Sequence, residues 1–344
     1  MTQSVASPVR AAVLGTGAWG TTFAAVLADA GCEVTLWGIA EEVCAEINTR
    51  HTNQGFLPDV VLPESIRATA DPAEALAGAS LVAIAIPAQV VREALAPLAG
   101  LLEPDAVAVS LIKGVELNSH RRMSQVVAEA LGLPDDRIVV ISGPNLAREI
   151  AQRQPTATVV ASSNAAAAAF VARACASSYF RPYTNTDVVG VELCGAVKNV
   201  IAVAVGIAQG TGYGYNTMAT VVTRGLVEIT RLGLALGADA ATFSGLAGMG
   251  DLVATCASPL SRNHTLGVHI GRGLSLTDAL AATKGTAEGV KSSASVLELA
   301  ESVGVEMPIT AAVAAVLHND LTVDQMAQML LNRPHKAEGV APTA

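Results

Sequence analysis

The stretch Val13-Leu14-Gly15-Thr16-Gly17-Ala18-Trp19-Gly20 decides the fold. Its glycines are spaced Gly-x-Gly-x-x-Gly, and it stands between two segments of different period. Before it, Arg10 to Leu14 is short, apolar and partly β-branched, like a buried strand. After it, Thr21 to Ala30 is Ala-rich and closes on Gly31, a suitable helix C-cap. Glu33 to Trp37 then reads as a second strand. Together they form one βαβ unit with glycines at its first turn. In such a turn Gly15 permits the tight bend, and Gly17 lets backbone N–H groups approach a pyrophosphate. Gly20 lets helix and strand pack closely. The helix N-terminus adds partial positive charge beneath the phosphates. Plain strand–turn–helix loops share the bare spacing, but the flanking strand and helix favour dinucleotide binding.

With 344 residues the chain exceeds one ordinary hydrophobic core, so two domains are expected. Half of it is hydrophobic and only 15% is charged, enough apolar surface for large cores. Aromatics are scarce, so Ala, Val, Leu and Gly carry the interior, as suits a parallel sheet under close-packed helices. The net charge of −9 argues against unspecific binding to nucleic acid or anionic membranes, which needs clustered cations. A few placed Lys and Arg still suffice for an anionic substrate. The five cysteines, Cys32, Cys44, Cys175, Cys194 and Cys256, include no Cys-x-x-Cys and no zinc spacing. They fit reduced thiols in a cytoplasmic protein, with no metal site expected. Met1 to Pro8 lacks the basic end and apolar core of a signal peptide. The most apolar stretch, Val200 to Ala208, is far short of the ~20 residues of a membrane span, so none is expected.

The first half alternates strand-like and helix-like segments. Leu81 to Ile86, Ala106 to Ser110 and Ile138 to Ser142 are continuous apolar runs, like strands buried on both faces. Ala73 to Leu76 and Val90 to Leu98 read as helices, and Thr158 to Ala161 and Tyr179 to Tyr183 as further strands. Repeated βα units imply a doubly wound sheet with ligands at the carboxyl ends of the strands. Pro87, Lys113 and Gly143 all follow such ends. From near Asp187 the chain reads as long helices: one around Val197 to Ala208, apolar all round and so buried, and another from Asn216 to Leu236. The expected division is an α/β dinucleotide-binding domain over 1–186, an all-α domain over 187–335, and a frayed tail over 336–344.

A second set of chemical groups lies mainly in the helical half. Lys198, in Gly195-Ala196-Val197-Lys198-Asn199-Val200-Ile201, has almost nothing polar around it. Buried, its ammonium loses hydration and its pKa falls toward the range useful for proton transfer. At a helix end it snorkels to solvent instead. Asp251, after Gly248-Met249-Gly250, reads either as a helix N-cap or as a partner for Lys198 or a substrate hydroxyl. The turn Ser258 to Asn263 reads either as a solvated loop or as a phosphate site, with two parallel hydrogen bonds from Arg262 and another from Asn263. Lys113, in Leu111-Ile112-Lys113-Gly114, follows a buried strand, exposed or facing a substrate oxygen. Arg224 and Glu228, four apart on a helix, read as a structural ion pair. Cys194 and Cys256 read as small packing residues rather than nucleophiles.

As an ordered set, these segments resemble the bacterial-type NAD(P)-dependent glycerol-3-phosphate dehydrogenases. The matching segments are Gly15 to Gly20, Ile112 to Glu116, Ile141 to Ala147, Gly195 to Ala202, Gly248 to Leu252, Ser261 to Asn263 and Ala287 to Val290. The resemblance spans nearly the whole chain, from Val9 to about Leu331. It implies a Rossmann-type domain followed by an all-helical domain, with the active site between them. It also implies reversible reduction of dihydroxyacetone phosphate to sn-glycerol 3-phosphate, feeding glycerophospholipid synthesis. By this resemblance Lys198 exchanges a proton with the substrate C2 oxygen, with Lys113, Asp251 and Thr255 close to the reacting centre. Lys113, Gly143, Asn145, Lys198, Asp251, Ser261, Arg262 and Asn263 line the substrate. Gly15, Gly17, Ala18, Trp19, Gly20, Lys113, Ala147, Arg262, Thr286 and Glu288 contact NAD or NADP.

The chain departs from that pattern at several positions. Ile39 stands where many members carry Arg or His, the natural partner of a 2′-phosphate. The acid expected for NAD is displaced too, with Trp37 and Gly38 at the strand end and Glu41 and Glu42 later. NAD use, or relaxed dual use, is therefore expected. Asn145 replaces a common Ser or Thr, and Thr286 a common apolar residue. A 6-phosphogluconate or 3-hydroxyacid dehydrogenase also uses a helix lysine, but Ser261-Arg262-Asn263 and Lys113-Gly114 favour the glycerol phosphate reading. A noncatalytic dinucleotide sensor would not need the lysine–acid pair that this chain keeps. The apolar helical half has room for a dimer interface, and homodimers are the commonest closed assembly.

Overall fold

A computed structural model describes residues 8–283, 287–318 and 321–334. Thr286 and the tail over 336–344 lie outside the described residues. By its internal contacts the chain forms two compact units. The first takes Met1–Ile112, Met123–Ile141 and Asn145–Val188, and the second Lys113–Arg122, Ser142–Pro144 and Val189–Ala344.

The first unit is an eight-stranded sheet: β1 (Arg10–Leu14), β2 (Glu33–Trp37), β3 (Arg67–Thr69), β4 (Leu81–Ile84), β5 (Val107–Ser110), β6 (Ile138–Ser142), β7 (Thr156–Ala161) and β8 (Phe180–Asn185). The spatial order is β3-β2-β1-β4-β5-β6-β7-β8, so the winding reverses between β1 and β4. Pairs β1–β2, β2–β3, β1–β4, β4–β5, β5–β6 and β7–β8 are parallel. Side chains alternate between faces: Ala11 and Val13 join one core layer, and Ala12 and Leu14 the other. Both faces are covered by helices, which is why these strands read as unbroken apolar runs.

The short β3 escapes sequence reading because Arg67-Ala68-Thr69 has too few residues to show a period. Its free edge is closed by a side chain. The Asn48 amide donates to the Ala68 carbonyl at 2.7 Å and accepts the Ala68 N–H at 2.8 Å, doing the work of another strand.

The second unit is helical. Its centre is the helix Val188–Gly210, buried from Gly190 to Ala208. This helix corrects the expectation about membrane length. It has 23 residues, its most apolar window has mean hydropathy 1.9, and it is long and apolar enough to cross a membrane. However, 89% of that window is buried inside the protein, as befits a core helix. The next helix runs over Tyr215–Ala235 behind Gly214, so Asn216 lies inside its first turn rather than capping it.

The expected Arg224–Glu228 ion pair is replaced. Glu228 accepts the backbone N–H groups of Ile309 at 2.7 Å and Thr310 at 3.2 Å, at the start of the helix Pro308–His318. Unpaired N–H groups at a helix start are strong donors, and they outcompete a flexible guanidinium for a buried carboxylate.

Candidate active site

In the second unit, one turn of chain prepares the acid. The segment Leu246–Gly250 forms a wide helical turn in which the Gly250 N–H reaches back to the Gly245 carbonyl at 3.1 Å. Such turns recur at functional sites. A side chain at Gly248 would lie 2.1 Å from the Phe243 carbonyl oxygen, so this turn admits only glycine there. The helix Asp251–Ala257 follows, with Asp251 and Thr255 on one face. Asp251 does not cap the helix. Its carboxylate, only 1% exposed, lies between two ammonium groups.

Lys198 comes from the middle of the central helix and is buried. Its ammonium donates to Asp251 Oδ1 and to Thr255 Oγ1, the latter at 2.7 Å. Lys113 donates to Asp251 Oδ2 at 2.7 Å and to the Gly143 carbonyl at 3.4 Å. Gly195 makes room for the Lys113 stem, since a Cβ there would meet Ser142 Oγ at 2.9 Å and Lys113 Cγ at 3.3 Å. The far end of the same loop is tied by an ion pair between Arg122 and the buried Glu192, one turn further back on the central helix.

Two ammonium groups thus share one carboxylate, which leaves a surplus of positive charge. Burial pushes the Lys198 ammonium down to about 7; Asp251 opposes this and Lys113 reinforces it. A lysine in this state exchanges a proton readily near neutral pH. Cys256 is buried nearby, and burial pushes its thiol up to about 12, which suits packing rather than attack.

The phosphate-site candidates lie in the same unit. Ser261 caps the helix Arg262–Gly271 by accepting the His264 N–H at 3.3 Å. The exposed Arg262 opens that helix, so the expected turn ends two residues earlier, at Ser261. Asn263 Oδ1 accepts the Gly289 N–H at 2.8 Å and fastens this helix to the start of the helix Glu288–Ser302. Burial raises the Glu288 carboxyl, while Arg262, Lys113 and Lys198 pull it back down.

In the first unit the glycine turn has a different character. Gly15 has φ +120°, and a Cβ on it would lie 2.6 Å from the Ala85 carbonyl oxygen. A Cβ on Gly20 would lie 2.0 Å from the Gly15 carbonyl oxygen. Folding alone therefore demands these two glycines. A Cβ on Gly17 would meet nothing within 4 Å. Among the described residues no side chain caps the helix Ala18–Asp29 that starts here, and the buried Trp19 Nε1 has no hydrogen-bond partner. Open space over an uncapped helix start fits a dinucleotide pyrophosphate.

Asn53, missed by sequence reading, props this turn by donating to the Thr16 carbonyl and to Thr21 Oγ1, each at 2.9 Å. Ala147 opens a short helix and accepts Thr22 Oγ1 at 3.2 Å. Asn145 donates to Thr158 Oγ1 at 2.9 Å, leaving its own buried Oδ1 without a partner.

A doubly wound sheet with this turn, joined in one chain to a helical unit holding a buried lysine–carboxylate cluster, defines an NAD(P)-dependent oxidoreductase. Comparison with known proteins narrows the class. Residues 10–168 match the family of NAD-dependent glycerol-3-phosphate dehydrogenase N-termini, and residues 187–328 match the corresponding C-termini. The chain belongs to the NAD-dependent glycerol-3-phosphate dehydrogenase family.

It is 59% identical over 331 residues to glycerol-3-phosphate dehydrogenase [NAD(P)+] of Streptomyces griseus, covering 96% of this chain and 98% of that protein. It is 57% identical over 328 residues to the enzyme of the same name from Corynebacterium aurimucosum, covering 95% and 99%. The crystal structure of glycerol-3-phosphate dehydrogenase from Coxiella burnetii superposes with TM-score 0.90 at 37% identity, covering 95% and 99%. D-mandelate dehydrogenase, at 15% identity and TM-score 0.61, shares the fold alone.

Proposed function

We propose that the chain reversibly reduces dihydroxyacetone phosphate to sn-glycerol 3-phosphate, with Lys198 as the proton donor, and so supplies glycerophospholipid synthesis. The observation that carries this reading is the buried Lys198–Asp251–Lys113 cluster. A ketone that gains a hydride develops alkoxide charge at its oxygen. The Lys198 ammonium stabilises that charge and then hands over its proton. Asp251 and Thr255 aim the ammonium, and Asp251 also holds Lys113 beside it. In this reading Lys113 and Asn145 hold the substrate oxygens, and Gly143 lines the substrate. Arg262 and Asn263 anchor the phosphate, with Ser261 fixing the helix end that presents them. Binding energy at the phosphate then positions C2.

The nicotinamide, when bound, supplies the hydride. Gly15, Gly17, Ala18, Trp19 and Gly20 take the dinucleotide, with further contacts from Ala147, Lys113, Arg262, Glu288 and Thr286. After β2 the chain runs Gly38, Ile39, Ala40, Glu41, Glu42, and Ile39 is 86% exposed. No cation in this segment answers a 2′-phosphate, which supports NAD or dual use over strict NADP use. Five buried free thiols support a cytoplasmic location. A homodimer is the expected assembly, to be read by sedimentation equilibrium.

The test follows oxidation of NADH and NADPH at equal concentrations with dihydroxyacetone phosphate. Turnover with NADH at least equal to NADPH is expected. A large NADPH advantage overturns the cofactor reading. Absence of turnover, from folded protein that still binds NADH, overturns the reaction.

A further inference from the structure

The helix Tyr215–Ala235 carries Arg224, Glu228 and Arg231 on one face, since positions three and four apart are neighbours on a helix. Glu228 answers neither arginine, because both its oxygens are engaged by Ile309 and Thr310. Among the described residues the Arg224 side chain has no hydrogen-bond or ion-pair partner, and the buried Nε of Arg231 has none either.

Both arginines line a cavity of about 820 Å³ within the helical unit. Arg333 lines it as well and is itself paired with Glu306 at 2.8 Å. Glu228 also lines it, with its carboxylate taken up by the Ile309 and Thr310 N–H groups. Much of the remaining wall is apolar: Ile207 and Ala208 from the central helix, Ile309, and Met326 and Leu330 from the helix Val323–Leu331. The size falls within the ~300–1,000 Å³ typical of small-molecule sites.

Leaving guanidinium groups unpaired against an apolar wall is unfavourable. It is more notable in a chain of net charge −9, where carboxylates are plentiful. The cavity's own charge and shape therefore specify its complement: an anionic head on an apolar body. Two guanidiniums without a partner among the described residues, with a third on the same cavity, favour a doubly charged phosphate monoester over a single carboxylate, because each planar fork takes two phosphate oxygens.

We infer that this cavity binds a single-chain amphiphile with a phosphate monoester head, Arg224 and Arg231 holding the head and the apolar wall holding the chain. None of its lining residues belongs to the lysine cluster, so the inference stands apart from the reaction proposed above. Its wall does include the helix that carries Lys198.

The test is calorimetric titration of the full chain with dodecyl phosphate below its micelle-forming concentration. Inorganic phosphate and the uncharged dodecyl maltoside, also below micelle formation, are titrated for comparison. Saturable binding of dodecyl phosphate is expected, at least ~10-fold tighter than either comparison ligand, since the head and chain sites act together. The double variant Arg224→Met/Arg231→Met should weaken it by ~10-fold or more. Ala327→Trp, which fills the cavity without touching a charge, should abolish it. Both variants should keep a cooperative thermal transition and their affinity for NADH.

No saturable binding overturns the inference. So does equal binding of dodecyl maltoside, or of phosphate alone, or binding that neither variant weakens. If instead the wild type takes no amphiphile and Ala327→Trp splits a dimer, the cavity belongs to a second copy of the chain and the inference falls.

Discussion

The glycine turn of the first unit and the lysine cluster of the second put chemistry in different parts of the chain. At the turn, the proposed binding surface is the backbone itself. Six consecutive residues, Gly15 to Gly20, carry it, and their spacing fixes what each must be. At the cluster, the proposed reagents are side chains. They come from Lys113, Lys198 and Asp251, far apart in sequence, and meet only because helices pack closely. A backbone site is as accurate as its local conformation, whereas a side-chain site is as accurate as the packing beneath it.

That packing rests on four glycines. On the central helix, a Cβ at Gly206 would lie 2.1 Å from the His264 carbonyl oxygen, and one at Gly210 would lie 2.3 Å from that of Val268. On the facing helix Arg262–Gly271, a Cβ at Gly267 would lie 2.2 Å from the Val203 carbonyl oxygen, and one at Gly271 would lie 2.3 Å from that of Ile207. The two backbones therefore touch. This contact sets Arg262 and Asn263 relative to the helix of Lys198.

The largest effect is expected at Lys198. Lys198→Ala is expected to lower kcat by ~10³-fold, within the range of a positioned general acid. NADH affinity should stay unchanged, as read by steady-state kinetics and fluorescence titration. Residual activity within ~10-fold of wild type would remove Lys198 from the chemistry.

Two glycine substitutions separate folding from binding at the turn. Gly20→Ala should cost about 1–3 kcal/mol of stability, because its Cβ meets a backbone oxygen that has to move. Gly17→Ala should leave the melting temperature alone and weaken NADH by ~10-fold, because its Cβ enters only the open space. Equal NADH affinity in wild type and Gly17→Ala would mean that the space is not the pyrophosphate's. A smaller effect is expected at the helix contact. Gly267→Ala should cost about 1–2 kcal/mol and raise KM for dihydroxyacetone phosphate more than it lowers kcat. An unchanged KM would show that Arg262 and Asn263 do not depend on that contact.

Much of the first unit was legible because its signals are local. The strands β1, β2 and β6 match their apolar runs residue for residue. What escaped were features without a period: the three-residue β3, and Asn53, a polar residue that acts through the fold. In the second unit Lys113, Lys198 and Asp251 stood out in the sequence, but which of them pair did not. Asp251 was as good an N-cap as an ion-pair partner, and only the wide turn before it takes its carboxylate to Lys198. Arg224 and Glu228 have ideal helical spacing, yet a helix start elsewhere claims the carboxylate. The repeated Gly-x-x-x-Gly of 206/210 and 267/271 was visible, and read as a backbone contact between helices it would have paired those two segments.

Burial keeps Lys198 at the edge of ionisation, and the pH dependence of kcat/KM in both directions reports where it ionises. With the free-protein ammonium lowered to about 7, the proposed mechanism requires the protonated form for reduction and the neutral amine for oxidation. The rate of ketone reduction should therefore hold below about 7 and fall by about tenfold per pH unit above it. Oxidation of sn-glycerol 3-phosphate should rise with pH up to the same value and then level. Lys113→Met, which removes a neighbouring positive charge, should move both limbs upward together. Reduction that stays level to about pH 9 would contradict the account, because the group in control would then titrate like an ordinary exposed lysine.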